Sequence, residues 1–194
     1  MLVSSILSLI ASLVLSIDAV KLAADKNASL SCNISAYISC SKVGLSWQSS
    51  LLGFPNAFLG LICEPVVITI AIAGITGVIF KRRMMQFATV VYFLGFIFAY
   101  WLFIQSYFYI HALCPWCLLV TATTTTVFAS MMRVNILQET LPWSEKAQAR
   151  ARRAIDLGID HMLAGLAIAT ILADRKSTRL NSSHIPLSRM PSSA

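Results

Sequence analysis

Charged and polar segments divide the chain into four long apolar stretches, at about residues 2–17, 56–80, 87–110 and 115–132. A helix needs about 20 apolar residues to cross a bilayer, so each stretch is a candidate membrane span, although the first is slightly short. A cleaved signal peptide would begin with basic residues and end at an Ala-x-Ala site, and the first stretch has neither. The pattern predicts an all-α membrane protein built as a four-helix transmembrane bundle.

The composition agrees with this class of protein. Hydrophobic residues make up 57% of the 194 residues and charged residues 12%, and the mean hydropathy is +0.75. A soluble core cannot bury that much apolar surface. The formal net charge of +7 would also fit a nucleic-acid partner, but the basic residues lie mainly in short connections between apolar stretches, as the positive-inside rule describes. We expect contact with membrane lipid and no nucleic-acid partner.

The distribution of Lys and Arg predicts the orientation of the bundle. The segment that follows the second stretch and the segment that follows the fourth are rich in basic residues, and we place them in the cytoplasm. The polar loop 18–55 and the short connection before residue 114 then lie together outside the cytoplasm. The basic residues counted on the inner side are Lys81, Arg82, Arg83, Arg133, Lys146, Arg150, Arg152 and Arg153, against Lys21, Lys26 and Lys42 on the outer side.

Cys114-Pro115-Trp116-Cys117 stands at the start of the fourth stretch. Proline is favoured at the first position of a helix, so Cys114 is predicted near the N-cap, with Cys117 on the same helix face. The positive end of the helix dipole favours a thiolate there, which is typical of a redox-active pair. Two core cysteines or half of a zinc site are the alternatives. The three histidines are scattered, and we expect no metal.

A second pair, Cys32 and Cys40, lies in the polar loop 18–55. The two residues are close enough in sequence to form a disulfide, and the predicted orientation puts them on the same oxidising side as the Cys-x-x-Cys motif. A static disulfide is the alternative to a reactive one. Cys63 lies inside the second stretch, and we interpret it as a small core residue without a redox role.

Residues 138–194 follow the predicted bundle of residues 1–137. Residues 138–173 combine a charged, amphipathic connection on the cytoplasmic side with a short apolar segment, which we interpret as an incomplete fifth helix. Residues 174–194 have no hydrophobic periodicity and resemble translated vector sequence, so we expect a non-native or disordered tail.

These motifs occur in the order of a known family. The loop pair comes first, then Ser41-Lys42-Val43 followed by Ser46, then Gly-Phe-Pro-Asn-Ala-Phe-Leu-Gly at 53–60, and finally Cys-Pro-Trp-Cys. Over roughly residues 1–137 this order resembles the bacterial homologues of vitamin K epoxide reductase. A second family of quinone-linked thiol oxidases carries its Cys-x-x-Cys in the first outer loop, which is the reverse order.

The resemblance implies a four-helix bundle that encloses a quinone, menaquinone or ubiquinone, in the bacterial cytoplasmic membrane. It also implies oxidation of a separate thioredoxin-like, DsbA-like protein outside the cytoplasm. Two alternatives stay open, reduction of a quinone epoxide by the same residues and a non-enzymatic membrane scaffold with structural disulfides.

The resemblance further implies a role for each cysteine of the two pairs. Cys32 would face the partner protein, Cys40 would attack Cys114, and Cys117 would adjoin the quinone.

Three polar residues are implied as quinone contacts. Ser46 matches the loop serine of the family, and Asn56 matches an asparagine that donates a hydrogen bond to a quinone carbonyl, with a helix cap as its alternative role. Thr121 stands where the animal enzymes have a tyrosine.

Glu64 is an acidic residue inside the second stretch. It is either part of a proton route for quinone reduction or an interfacial side chain that water reaches. Because it follows Asn56 by only eight residues, we favour the interfacial position.

Overall fold

The computed structural model describes residues 1–34, 37–158, 162 and 165–170. This part of the chain is helical and contains no strand, only an isolated bridge between Ile38 and Leu113. A 3₁₀ helix (Trp47–Ser50) follows α2, and a π-helical turn (Ser106–Ile110) extends α4. The α-helices are α1 (Leu2–Ala24), α2 (Cys40–Gly44), α3 (Ala57–Ile75), α4 (Arg82–Gln105), α5 (Pro115–Leu137) and α6 (Glu145–Asp156).

Four of these helical segments are long and apolar enough to cross a membrane, namely α1, α3, α4 with its π-helical turn, and α5. The predicted four-helix transmembrane bundle is confirmed. The predicted ends need correction. α1 continues past residue 17 to Ala24, α3 ends at Ile75 instead of residue 80, α4 begins at Arg82 instead of residue 87, and α5 continues past residue 132 to Leu137. Hydropathy misplaced the ends of α1, α4 and α5 because charged residues are compatible with helical backbone at a bundle end. Helix α3 ends early because Gly77 adopts left-handed backbone (φ 85°) just after it, although the segment that follows is apolar.

Helix α1 packs against both α3 and α5, and α4 packs against α5. The face that α1 turns inward is small and polar, while its large apolar side chains point outward. Small side chains let two backbones approach closely, which is how helices associate in a membrane without a hydrophobic driving force between them. The buried serines of this face are Ser5, Ser8, Ser12 and Ser16.

The polar loop between α1 and α3, which we call the outer loop after its predicted side of the membrane, is tied to the chain just before α5. Leu113 N–H donates to the Tyr37 carbonyl at 2.8 Å, and Ser39 N–H donates to the Leu113 carbonyl at 3.2 Å. The π-helical turn ends at His111, whose left-handed backbone (φ 53°) reverses the chain direction toward α5. These bonds hold the start of α2 beside the start of α5, two points far apart in sequence.

The charged connection after α5 forms α6, which begins after Ser144, whose hydroxyl accepts the Ala147 N–H. Of the incomplete fifth helix, only residues 162 and 165–170 are described, and they are helical. The remainder of that segment and the tail 174–194 lie outside the described residues.

Candidate functional site

The Cys-x-x-Cys motif opens α5 as the sequence predicted. Cys114 occupies the N-cap, Pro115 the first helical position, and the Cys114 side chain is only 1% exposed. The pKa of Cys114 is lowered, chiefly because the Cys117 side chain donates a hydrogen bond to its sulfur. Burial opposes this shift, and the backbone N–H groups of Cys117 and Trp116 add to it. The lower pKa favours the thiolate form of Cys114 and makes this sulfur a better leaving group in disulfide exchange.

The loop pair forms a disulfide, Cys32–Cys40. Cys40 is the first residue of α2, and the side chain of Ser39 caps that short helix by accepting the Lys42 N–H. This placement brings Cys40 Sγ to 3.2 Å from Cys114 Sγ, across a sequence separation of 74 residues. Two sulfurs at this distance need almost no movement to exchange bonding partners. The structure therefore joins the two cysteine pairs at a single contact.

The three sulfurs lie in an apolar cluster. Cys32, Cys40 and Cys114 are buried together with Leu22 and Leu30. Cys32, the predicted partner-facing cysteine, is only 5% exposed. A protein partner can reach its sulfur only if the loop opens, so the implied role of Cys32 stays a prediction.

Beneath this cluster the bundle encloses a cavity of about 660 Å³, lined mostly by apolar side chains from the outer loop and the four spans. Cys40, Cys114 and Cys117 lie on its wall. Ligand pockets of this size hold flat organic molecules of the size of a quinone ring with part of its tail. The predicted contact residues Ser46, Asn56 and Thr121 also line the cavity.

Asn56 lies at the start of α3, but its side chain makes no cap hydrogen bond, so the alternative role as a side-chain cap is wrong. Its Nδ2 donates to the Gln48 carbonyl at 2.6 Å, which fixes the amide against the outer loop. Its Oδ1 is buried and has no hydrogen-bond partner among the described residues. A buried amide oxygen without a partner is costly, and a ligand hydroxyl would satisfy it. The second hydrogen on Asn56 Nδ2 could donate a hydrogen bond to a carbonyl oxygen of a ligand.

Ser46 and Thr121 both donate their hydroxyl hydrogens within the protein. Ser46 Oγ donates to the Val43 carbonyl at 2.6 Å, and Thr121 Oγ1 donates to the Cys117 carbonyl at 2.9 Å. Each oxygen can then only accept a hydrogen bond from a ligand. The implied quinone contacts of Ser46 and Thr121 stay predictions.

Two acidic residues near the cavity gain partners that the sequence did not reveal. Glu64 is 4% exposed, and its Oε1 accepts hydrogen bonds from Ser8 Oγ at 2.8 Å and Tyr92 OH at 3.2 Å. This burial argues against the interfacial position. Asp18 was predicted to lie in the polar loop, but it lies within α1, and its Oδ2 is 3.8 Å from Cys32 Sγ. The sequence singled out Glu64 as an acidic residue in an apolar stretch but not its partners, and no signal marked Asp18, because both contacts join segments distant along the chain.

Comparison with known proteins agrees with the arrangement of the two pairs. The sequence model of the vitamin K epoxide reductase family matches residues 1–132, which include all four cysteines of the two pairs and most of the four spans. No curated protein matches the chain. The four membrane spans, the disulfide beside a Cys-x-x-Cys motif and the family match together show that this chain belongs to the vitamin K epoxide reductase family, whose members are membrane oxidoreductases.

Proposed function

We propose that the chain is a thiol:quinone oxidoreductase that oxidises a separate thioredoxin-like, DsbA-like protein outside the bacterial cytoplasmic membrane. The observation that carries this proposal is the 3.2 Å contact between Cys40 Sγ and Cys114 Sγ, which connects the loop disulfide with the Cys-x-x-Cys motif. A scaffold with structural disulfides would have no need for such a contact between a disulfide and a free, buried thiol.

Electrons would enter at the loop pair. A partner dithiol reduces the Cys32–Cys40 disulfide, becomes a disulfide itself and leaves both loop cysteines reduced. Cys40 then attacks Cys114 in an oxidised Cys114–Cys117 pair, so that a Cys40–Cys114 bond forms, the Cys114–Cys117 bond breaks, and the leaving Cys117 takes up the proton that Cys40 gives up. Cys32 finally attacks Cys40, which restores the loop disulfide and releases Cys114. The sum of these steps moves two electrons from the partner to the Cys-x-x-Cys pair.

The residues around the cavity fit a quinone. Cys117 lies on the cavity wall, and the Asn56 amide has an unpaired oxygen and one remaining hydrogen there. A quinone bound in this cavity, menaquinone or ubiquinone, would supply the two-electron acceptor that reoxidises the pair. The role of the chain is to hold the ring beside Cys117, to exclude water and to present Asn56 to a ring oxygen.

Substitution of Cys117 tests the proposed path. The purified Cys117→Ala variant, given a reduced DsbA-like protein and a water-soluble ubiquinone, should show no quinone reduction by absorbance. In this variant the free Cys114 thiolate should attack the Cys32–Cys40 disulfide, so that a Cys40–Cys114 bond forms and Cys32 leaves as a thiol. Mass spectrometry of alkylated peptides, taken before the reduced protein is added, identifies the new disulfide. Cys63→Ala makes the same chemical change at a half-buried cysteine of α3 and should keep the parental rate.

Full turnover by Cys117→Ala would contradict the assigned electron path. Replacing the quinone by its epoxide separates the second candidate, because an epoxide reductase would consume the epoxide with a dithiol donor. A chain that reduced neither compound would be a scaffold.

A further inference from the structure

Asp18 is a buried carboxyl group next to the loop disulfide. It lies in the penultimate turn of α1, its side chain is 8% exposed, and its Oδ2 is 3.8 Å from Cys32 Sγ. Asp18 also lines the cavity beside Cys40 and Cys114. The steps of the proposed function use the four cysteines but do not say where the proton of Cys32 goes when this thiol attacks.

We propose that the Asp18 carboxylate is the base that takes the proton from Cys32 as Cys32 attacks Cys40. This inference rests on the proposed function, because it concerns the step in which the Cys40–Cys114 mixed disulfide is resolved. Asp18 would act on a reacting atom directly, which makes it a catalytic residue of the exchange.

The step balances in atoms and electrons. The Cys32 S–H bond breaks, and its proton passes to Asp18 Oδ2. The Cys32–Cys40 bond forms, the Cys40–Cys114 bond breaks, and the electron pair of the broken bond leaves with Cys114 as a thiolate. Cys32 is oxidised from a thiol to a disulfide sulfur, Cys114 is reduced by the same amount, and Cys40 is unchanged. Together with the preceding attack of Cys40, the loop pair loses two electrons and the Cys114–Cys117 pair gains two.

The structure has the arrangement of the products of this step. The Cys32–Cys40 bond is formed, Cys114 is free, and its sulfur is 3.2 Å from the sulfur that it would have left. The proton acceptor is still at 3.8 Å from Cys32. All the groups that the step needs therefore lie in one apolar cluster.

The transfer also keeps the charge of the cluster constant. Before the step, Asp18 would carry the negative charge. After the step, Cys114 would carry it as a thiolate, and Asp18 would be neutral. Two anions in one apolar cluster would repel each other, and Asp18 acts to raise the pKa of Cys114 when it is charged. Removing the Asp18 charge at the moment when Cys114 leaves removes this repulsion.

The charged and titratable neighbours of Asp18 come from several elements. Lys21 follows one turn later on α1, and Lys26 lines the same cavity from the loop. Cys114 faces Asp18 from the start of α5. On α3, Glu64 is bonded to Ser8, which precedes Asp18 by ten residues, or about 15 Å along the helix. Glu64 is thus too deep to take the proton of Cys32.

The test follows the mixed disulfide in a single turnover without quinone. The fully oxidised, purified chain receives one equivalent of reduced dithiothreitol, so that every step after the first is intramolecular. Samples are quenched with acid, alkylated and analysed by mass spectrometry for the Cys40–Cys114 disulfide. In Asp18→Asn this disulfide should persist about 10²-fold longer than in the parent, a typical loss for a general base.

Two further variants separate chemistry from structure. Asp25→Asn makes the same change at an exposed residue just after α1, and it should behave like the parent. Asp18→Glu keeps a carboxylate, and it should resolve the mixed disulfide at least tenfold faster than Asp18→Asn. Equal lifetimes in Asp18→Asn, Asp25→Asn and the parent would overturn the proposal, as would equally slow resolution in Asp18→Glu and Asp18→Asn.

The pH dependence gives a readout that needs no substitution. With a carboxylate base, the resolution rate of the parent should be level between pH 7 and 8. A climb close to tenfold over this interval would mean that Cys32 ionises to solvent, and the proposal would be wrong. Asp18→Asn should show that climb, because only the ordinary ionisation of a thiol, with a pKa of about 8.5, remains.

Adding quinone afterwards tests the proposed function separately. If the inner pair, once reduced, passes no electrons to quinone in the parent or any variant, the proposed function fails while the lifetimes still decide the role of Asp18.

Discussion

Helices α1 and α3 approach each other closely where Gly60 of α3 faces Ser12 of α1. Among the described helices of the bundle, this is the closest approach that depends on a glycine. A Cβ placed on Gly60 would lie 2.7 Å from Ser12 Cβ, and its contact with Ser12 Oγ would be closer still. Ordinary contact begins at 3.4 Å, so the Gly60→Ala methyl is about 0.7 Å too close to an atom that no rotamer change can move. Helices α1 and α3 must separate to admit it.

The expected cost follows from this overlap. Overpacking by one methyl group costs about 1–3 kcal/mol, and the better helix propensity of alanine returns about 0.5–1 kcal/mol. The separation would also stretch the 2.8 Å hydrogen bond from Ser8 to Glu64, which lies one turn away on the same interface. We expect a net destabilisation of about 2 kcal/mol, or a fall in Tm of about 4–8 °C for a chain of this length.

Thermal unfolding in detergent, followed by loss of the monodisperse peak in size-exclusion chromatography, measures the effect. Gly74→Ala is the matched control on α3, because a Cβ there meets nothing within 4 Å, and it should not lower Tm. In the double variant Ser12→Gly/Gly60→Ala the methyl group gains space, so the two effects should couple by about 1 kcal/mol or more. If Gly60→Ala had the same Tm as Gly74→Ala, the close approach of α1 and α3 would be refuted.

Three other predictions concern the site and its orientation. Cys114 should be alkylated by iodoacetamide with a midpoint below the ordinary thiol range, because its pKa is lowered, and Cys117→Ala should move that midpoint up by removing the hydrogen bond to its sulfur; identical profiles would contradict this cause. Asn56→Asp should leave exchange between the cysteine pairs intact but slow quinone reduction by about 10²- to 10³-fold, because it replaces an amide donor near developing negative charge with a carboxylate; a parental rate would exclude Asn56 from ligand binding. Lys26→Cys should react with a membrane-impermeant maleimide on intact cells and Lys81→Cys only after permeabilisation, and the opposite result would invert the proposed orientation.

Much of the fold could be predicted because apolar length alone identifies a membrane span. The four spans and the family are confirmed, whereas the helix ends were misplaced. Asp18 and Lys21 marked the apparent end of the first span, yet both lie within α1. A hydropathy pattern cannot show that a carboxyl group faces a cysteine cluster instead of water, because that depends on a loop folded back over the helix end.

The site was predictable only in part for a similar reason. The local geometry of the motif Cys114 to Cys117 could be predicted from the sequence, because the proline and the apolar run after it indicate the start of a helix. The contact of Cys40 with Cys114 depends on the backbone bonds between the loop and residue 113, which no local pattern encodes. Asn56 was given a capping role as an alternative because of its position, but its amide is used by the Gln48 carbonyl.

The position of α1 between α3 and α5 also constrains the order in which the chain can assemble. Helix α1 is synthesised before both of its partners, and its second packing surface lies on α5, which ends at Leu137. At translation rates of 5–20 residues per second, α5 is complete roughly 6–23 s after Ala24 has been added. Helix α3, which ends at Ile75, can cover Ser8 and Ser12 earlier, but until α5 is made the α1 surface that packs against it must wait in lipid or against the insertion machinery. Ribosome pausing ahead of α5 would lengthen that exposure, so the last span sets the moment at which the bundle closes.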